Sequence, residues 1–144
     1  MNNKIIVDTD VVVALLDVSD THHNKALNLV LSLENDGRDL SLMDCILNEI
    51  YTVIARRSRE RGYRFSEIVG KIKNELESFE IIKAYPLVSN LHNRIIEVMV
   101  KTNGRLNYHD ALISITMKDE GIEEIATFDK DFREIEWLKA YDRS

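Results

Sequence analysis

Four acidic residues spread along the chain could together hold a metal ion, and Asp8 is the most informative of them. Asp8 separates two apolar runs, residues 5–7 and residues 11–16. An acid that follows a short β-branched run is expected at the carboxyl end of a strand, where α/β proteins place their ligand sites. Such an acid can bind a metal ion or attack a substrate. Three further acids could meet it there: Glu49, Asp110 and Asp129.

Each acid, taken singly, also has a structural explanation. Asp8 and Asp129 could each cap a helix that follows. Asp110 comes three residues after Asn107 and could complete a capping box. Glu49 could be an exposed helix acid, but it borders the apolar face of its helix. Since no lysine or arginine lies within a turn of Glu49 on that helix, no cation of the helix would compensate a buried charge there, whereas a metal would.

Taken together, the acids favour a shared site. Asp8 and Asp129 both follow short apolar segments, so they would lie along one edge of a parallel sheet, and Asp110 would stand at the helix end that packs near that edge. Mg²⁺ and Mn²⁺ prefer carboxylate oxygens. A bound ion keeps clustered acids ionised and makes a water acidic enough to attack phosphorus in line. The pattern therefore predicts metal-dependent attack of water on a phosphate ester.

Composition sets further bounds. The chain has 144 residues, a net charge of −6, 44% hydrophobic residues and 31% charged residues, as in globular proteins. The negative charge argues against a general nucleic-acid coat, but a nuclease whose acids bind metal remains compatible with it. Cys45 is the only cysteine, which excludes an intrachain disulfide and a cysteine-based zinc site. Without an apolar run long enough to span a membrane or a signal-peptide pattern, we expect a cytoplasmic protein.

Five arginines crowd one short stretch, and two interpretations of them stay open. They are Arg56, Arg57, Arg59, Arg61 and Arg64. They could form a solvated helix end, where cations suit the negative pole of the helix dipole. They could instead form a patch that binds RNA phosphates or a partner protein. The four histidines have no zinc-protease spacing, and His109 is interpreted as a helix-start residue beside Asp110.

The elements that must position these residues alternate between strands and helices. Strands are predicted at residues 4–7, 40–43, 79–84, 122–128 and 138–141. Helices are predicted at residues 11–16, 22–33, 45–58, 65–76, 89–101 and 108–120, with a short one at 131–136. This alternation predicts an α/β fold with a mainly parallel sheet covered on both faces. The length fits one domain over residues 1–144.

In their order and spacing, the motifs resemble those of the PIN domain family, in particular VapC-type toxin ribonucleases and stand-alone prokaryotic PIN nucleases. The resemblance covers the whole chain and rests on four segments: 6–9, 47–49, 108–112 and 126–129. It implies a Rossmann-like sheet of about five mainly parallel strands flanked by helices. It also implies a Mg²⁺- or Mn²⁺-dependent endoribonuclease that forms a homodimer.

The resemblance also implies roles for particular residues. The matching acids would ligate the metal: Asp8, Glu49, Asp110 and Asp129. Thr127 stands where relatives have a small hydroxyl residue that supports the site, and Thr9 and Asp131 are further candidates for support. Two acids depart from the family pattern, because Asp10 replaces a small polar residue and Asp131 is an addition. We interpret Asp10 and Asp131 as solvent residues in preference to a supporting role.

Two alternatives stay open. The Asp8-x-Asp10 pattern also resembles the first motif of haloacid-dehalogenase-like phosphatases, with a nucleophile followed by a general acid. That chemistry needs a later lysine, for which Lys118 is the candidate, and an acid pair, for which Asp129 and Asp131 are. Hydrolysis of p-nitrophenyl phosphate would distinguish the two families. The second alternative is a catalytically inactive PIN-like binding module, although all four acids are present.

The expected partners are an RNA substrate, a second copy of the chain and, for a toxin, a small antitoxin protein. Both a toxin and a housekeeping RNA-processing enzyme fit the pattern, and a small reading frame immediately upstream would favour the toxin. An antitoxin is expected to block the acid-rich site with a basic side chain, because the negative potential there attracts one.

Overall fold

A computed structural model describes residues 3–142, over which the chain forms one five-stranded sheet and six α-helices. The strands are β1 (Lys4–Val7), β2 (Asp39–Met43), β3 (Glu80–Ile82), β4 (Glu124–Ala126) and β5 (Lys139–Tyr141). The helices are α1 (Thr9–Leu16), α2 (His23–Asn35), α3 (Asp44–Glu60), α4 (Phe65–Leu76), α5 (Val88–Lys101) and α6 (Tyr108–Asp119). None of the helices within 3–142 combines the length and the apolar character that a bilayer crossing requires.

All five strands are parallel and follow the order β3-β2-β1-β4-β5. In the central strand, Ile6 lies opposite Ser41 of β2 on one side and Ile125 of β4 on the other. The chain thus builds the sheet outward from β1 to β3, then crosses back to add β4 and β5 on the other side. This reversal makes a switch point between β1 and β4, where α/β sheets open a crevice at the carboxyl ends of their strands. The predicted parallel sheet of about five strands is confirmed.

Burial explains why these segments fold as they do. Residues 5–7 of β1 are all fully buried, as expected for a parallel strand covered on both faces. Helix α1 packs against α2 and α3, and α5 packs against α6. Because right-handed crossovers that run in opposite directions put their helices on opposite faces, the two groups sandwich the sheet. Helix α2 buries one apolar face, which consists of Ala26, Leu29, Val30 and Leu33.

The end of α6 directs the chain into β4, the strand that carries half of the crevice. Gly121 has a φ of +70°, a left-handed conformation that glycine adopts without steric cost. The N–H of Ile122 then donates to the carbonyl of Met117 at 2.9 Å. Gly121 therefore ends the helix and turns the chain back towards the sheet.

Several predicted elements differ from those observed in length or type. The third and fourth strands are shorter than residues 79–84 and 122–128, because only the paired cores Glu80–Ile82 and Glu124–Ala126 reach a neighbouring strand. Pro86 lies in a 3₁₀ helix, Tyr85–Leu87, that leads directly into α5. The short helix predicted at 131–136 is a 3₁₀ helix at Lys130–Glu134.

Candidate active site

A pocket of about 530 Å³ opens beside the switch point between β1 and β4; we call it the acid pocket. Its lining includes the four acids that the sequence singles out: Asp8, Glu49, Asp110 and Asp129. They come from four separate segments: the end of β1, the middle of α3, the first turn of α6 and the end of β4. The fold therefore brings together acids that are far apart in the chain.

Asp8 links the sheet to the first helix. Its N–H donates to the carbonyl of Ala126 at 2.9 Å, and its side chain caps α1. Oδ1 accepts the N–H of Thr9 at 2.8 Å, and Oδ2 accepts the hydroxyl of Thr127, also at 2.8 Å. Burial, with the charges of nearby acids, raises the pKa of Asp8 to about 6 despite these hydrogen bonds. A cation would relieve this cost of holding the charge.

Thr127 connects two of the acids. Its hydroxyl donates to Asp8 and accepts the N–H of Asp129 at 3.0 Å, and the residue is only 2% exposed. Asp129 in turn accepts the N–H of Asp131 at 2.9 Å and caps the 3₁₀ helix there. Asp131 thus contacts the site through its main chain, while its side chain lies outside the pocket lining. One buried hydroxyl therefore sets the relative position of Asp8 and Asp129.

Glu49 contacts a histidine. Its Oε1 accepts a hydrogen bond from Nδ1 of His109, which lies in the first turn of α6. This hydrogen bond raises the pKa of His109 and so favours the charged imidazolium that compensates Glu49. The side chain of Glu49 is 41% exposed, so the expectation of a buried acid without a protein partner is wrong. His109 begins the helix as predicted, but it also joins α6 to α3.

Asp10 lines the acid pocket as well, so its interpretation as a solvent residue is wrong. Its Oδ2 accepts the N–H of Phe128 at 3.1 Å. Its Oδ1 is buried and has no hydrogen-bond partner within residues 3–142. Burial and the charge of Asp8 raise the pKa of Asp10 to about 7. An unpartnered carboxylate oxygen in this position is costly unless the site receives a cation.

Asp110 lies in the first turn of α6, which fixes its position. Its N–H donates to Oδ1 of Asn107 at 2.8 Å, which is one half of the predicted capping box. Its side chain lines the acid pocket. Burial raises its pKa to about 7, with added repulsion from Asp8, Asp129 and Glu49. Asp110 is therefore held near the other acids against their repulsion.

Two of the crowded arginines form a structural ion cluster. Arg57 Nη1 donates to Asp17 at 2.7 Å and to Asp20 at 2.8 Å. Arg61 donates two hydrogen bonds to Asp17, both at 3.0 Å. Asp17 is 8% exposed, and the hydrogen bonds from Arg61 and Arg57 lower its pKa to about 2. This cluster ties the loop between α1 and α2 to helix α3.

The arginine stretch is thus divided and does not form one patch. Arg56 and Arg57 line the acid pocket. Arg59 and Arg64 are exposed and lie outside that lining. The solvated-helix interpretation suits Arg59, which lies in the last turn of α3.

The site predicted from the sequence did not include several residues that lie around the acids. Asp20, His22 and Phe128 all line the acid pocket. Asp20 and His22 belong to the loop between α1 and α2, which has no periodic pattern and is placed by its contact with α3. Phe128 adjoins Asp129, so its position after β4 is the one available signal.

A family model for the PIN domain matches residues 5–138. The chain belongs to the PIN domain family. The matched region includes all four acids and Thr127. No functionally curated protein matches the chain significantly.

Three solved structures share the PIN fold. Mycobacterium tuberculosis VapC20, described as a sarcin-ricin loop cleaving toxin, has a TM-score of 0.70 at 21% identity, covering 93% of this chain and 96% of that one. VapBC2 from Rickettsia felis, bound to a DNA fragment from its promoter, has a TM-score of 0.71 at 15% identity, covering 96% and 99%. PAE2754 from Pyrobaculum aerophilum has a TM-score of 0.62 at 16% identity, covering 95% and 88%. At these identities the likeness establishes the fold.

Membership of the PIN family replaces the phosphatase alternative. That alternative required Lys118 at the site, but Lys118 Nζ lies 4.6 Å from the centroid of the Trp137 ring. Neither residue is part of the acid-pocket lining, and no lysine is found among the described residues that form it. The second required acid, Asp10, is hydrogen-bonded to the main chain of Phe128.

The donor set of this PIN domain fits a hard divalent cation. Its acids supply carboxylate oxygens, and the buried Oδ1 of Asp10 is unpartnered, while Asp8, Asp10 and Asp110 have raised pKa values. Within residues 3–142, no three His, Cys, Asp or Glu side chains stand close enough to hold an ion directly. Mg²⁺ retains several waters and uses only one or two carboxylates, so acids spaced around a pocket suit it.

Proposed function

We propose that this PIN domain is a divalent-metal-dependent endoribonuclease that uses Mg²⁺ or Mn²⁺. One observation carries the proposal: four acids from separate segments line one pocket at the switch point of the sheet. Core packing alone gives no reason to collect like charges there, since their repulsion and burial raise the pKa values of Asp8 and Asp110 well above the ordinary range.

The residues of the chain have distinct roles in this proposal. The metal would be held by Asp8, Glu49, Asp110 and Asp129, of which one or two would contact it directly and the others would bind its waters. When bound, the ion supplies Lewis-acid chemistry that stabilises charge on the phosphate and makes water more acidic. Thr127 holds Asp8 and Asp129 in register through two hydrogen bonds, and the N–H of Thr9 fixes the other oxygen of Asp8.

Replacing Asp110 by Asn tests the proposal. The amide side chain of the variant has nearly the same shape as the carboxylate, and the hydrogen bond from the main-chain N–H of this residue to Asn107 is unaffected. The fold should therefore persist while cleavage falls to background. The assay is cleavage of a labelled single-stranded RNA at saturating Mg²⁺. Asp119→Asn is the matched control, because Asp119 lies at the other end of α6 and pairs with Arg94 at 2.9 Å. Equal cleavage by Asp110→Asn and the parent would show that the site is misassigned.

We further propose that the chain is the toxin of a type II toxin–antitoxin pair and forms a homodimer. The support is its PIN fold, shared with a toxin and with a VapBC complex. An antitoxin would insert a basic side chain into the acid pocket, in place of the metal's charge. Co-purification of a small upstream-encoded protein, with hydrogen-exchange protection around Asp8 and Asp110, is expected. Protection confined to the arginine stretch would contradict this mode of inhibition. The homodimer is tested separately by light scattering, which should give twice the mass of one chain.

A further inference from the structure

The acid pocket has a second wall that carries no metal-binding acid. It is formed by residues of α3, of the loop before α2 and of the segment after β4: Arg56, Arg57, His22 and Phe128. A cation and two rings beside a phosphate-cleaving centre are the side-chain types that bind single-stranded nucleic acid. Their arrangement assigns a separate task to each.

Asp20 holds this wall together. Its Oδ2 accepts the Arg57 guanidinium at 2.8 Å, and its Oδ1 accepts the N–H of His22, also at 2.8 Å. One carboxylate therefore fixes the loop that carries His22 against the helix that carries Arg56. Arg57 is occupied by this role, because the same nitrogen also donates to Asp17.

Arg56 is the cation of this wall that is available to a ligand. Its side chain is 53% exposed, and its ion pair with Glu60 is long, at 3.8 Å, with Glu60 itself 64% exposed. Pairs of this kind on a helix surface are weak and screened by salt. A phosphate can therefore displace Glu60, and the guanidinium offers it a planar fork of donors.

His22 is the ring available to a base. The His22 and Phe128 rings pack with centroids 5.4 Å apart at 43°, a normal distance for an aromatic pair. Lys25 Nζ lies 4.9 Å from the centroid of the Phe128 ring, so Phe128 is covered by Lys25 and braces His22. Phe128 is half-buried while His22 is exposed.

We propose that Arg56 and His22 form a nucleotide subsite beside the acids, in which Arg56 binds an RNA phosphate flanking the scissile one and His22 stacks on an unpaired base. This inference rests on the proposed ribonuclease function and adds its substrate class. Because a base must leave its helix to stack on a side chain, the subsite selects single-stranded segments over continuous duplex.

Binding by the inactive Asp110→Asn protein tests the phosphate contact. Fluorescence anisotropy with a labelled single-stranded RNA is measured over a salt series at fixed Mg²⁺. Adding Arg56→Gln should weaken binding several-fold and lower the slope of log affinity against log salt by about 0.7, the value for one contact to a single strand. Arg59→Gln is the matched control on the same helix and should keep the slope. Equal slopes for the Arg56 and Arg59 variants would overturn the phosphate contact.

The same assay separates stacking from charge. His22→Ala should weaken binding by about fivefold or more with little change in salt slope, since stacking of one base is insensitive to salt. His22→Tyr should restore affinity because it keeps a ring. Tyr63→Ala, which removes an exposed ring outside the acid pocket, should have no effect. The stacking role would be overturned if His22→Tyr and His22→Ala lost the same amount of affinity. It would also be overturned if His22→Ala weakened the binding of a duplex RNA as much as that of the single strand.

The two proposals fail in different ways. If the parent cleaves RNA while the Arg56 and His22 variants bind like Asp110→Asn alone, the subsite is wrong and the nuclease stands. If the parent cleaves no RNA but the binding pattern appears, the nuclease is wrong and the wall is a nucleic-acid-binding site. Circular dichroism and melting curves of each variant confirm that the fold is retained.

Discussion

Replacing Asp110 by Asn should make the metal-free protein more stable while removing its activity. In the fold, burial and three neighbouring acids raise the pKa of Asp110 to about 7. When the pKa of a carboxyl is higher in the folded than in the unfolded chain, the folded protein becomes less stable as the pH rises from the unfolded pKa to the folded pKa. The parent should therefore lose stability between about pH 4 and pH 7, and the Asn variant should lose much less.

The size of the effect follows from the same shift. A folded pKa of about 7 against an ordinary 3.8 corresponds to a loss of about 4 kcal/mol in the free energy of unfolding if the neighbouring acids stay ionised. Water reaches the open pocket, and Asp8 and Asp10 can take up protons, so the real effect is smaller. We expect Asp110→Asn to be more stable than the parent by about 1–3 kcal/mol at pH 8. For a domain of this size, that is a rise in melting temperature of roughly 3–10 °C.

The assay is thermal and urea unfolding in EDTA at pH 5, 6, 7 and 8. Asp119→Asn is the control with the opposite sign, because the hydrogen bond from Arg94 lowers the pKa of Asp119, so its variant should be slightly less stable at every one of these pH values. Millimolar Mg²⁺ or Mn²⁺ should stabilise the parent by mass action and do much less for Asp110→Asn or Asp8→Asn. A pH-independent difference, or an Asp110→Asn protein less stable than the parent at pH 8, would refute the reasoning.

Two further predictions concern the frame of the site. Asp17→Asn should cost about 1–2 kcal/mol of stability at pH 7, because the pKa of Asp17 is lowered to about 2 but its partner Arg61 is 42% exposed and screened by solvent. The difference from the parent should shrink from about pH 4 down to pH 2, which denaturant unfolding at each pH will measure. Thr127→Val should lower kcat about tenfold or more, because Asp8 and Asp129 lose their shared hydroxyl, while Thr127→Ser should keep most activity in the RNA cleavage assay. Loss of activity without any difference between the Val and Ser variants would assign Thr127 to packing.

The fold was largely predictable because its signals are local. Short β-branched runs, such as residues 4–7, and helical apolar spacing, such as that of α2, identify elements without knowledge of the tertiary structure. The acid pocket was predictable for a related reason: Asp8 and Asp129 follow strands, and parallel strands end at one edge. Element type together with sheet direction was sufficient to bring two distant acids to the same edge.

What the sequence did not reveal depends on side chains that cross between elements. Glu49 contacts His109, and Arg57 contacts Asp17 and Asp20, yet neither pairing has a periodic or local signature. The turn that contains Asp20 has no hydrophobic periodicity, so its place beside α3 follows from the ion cluster. The acids of the pocket could therefore be predicted from the sequence, while the contacts of the residues around them could not.

Capping and metal binding are compatible uses of the carboxylates of Asp8 and Asp129, and this explains why each of these two acids had two good interpretations. An ionised carboxylate has about four lone-pair sites. Asp8 accepts only two hydrogen bonds and Asp129 one from the residues described, so capacity remains for an ion or its waters. The caps fix the carboxylates before an ion arrives, which lowers the cost of assembling the site. Replacement by Asn keeps an oxygen for the cap but removes the charge, so it separates the two uses where Ala would abolish both.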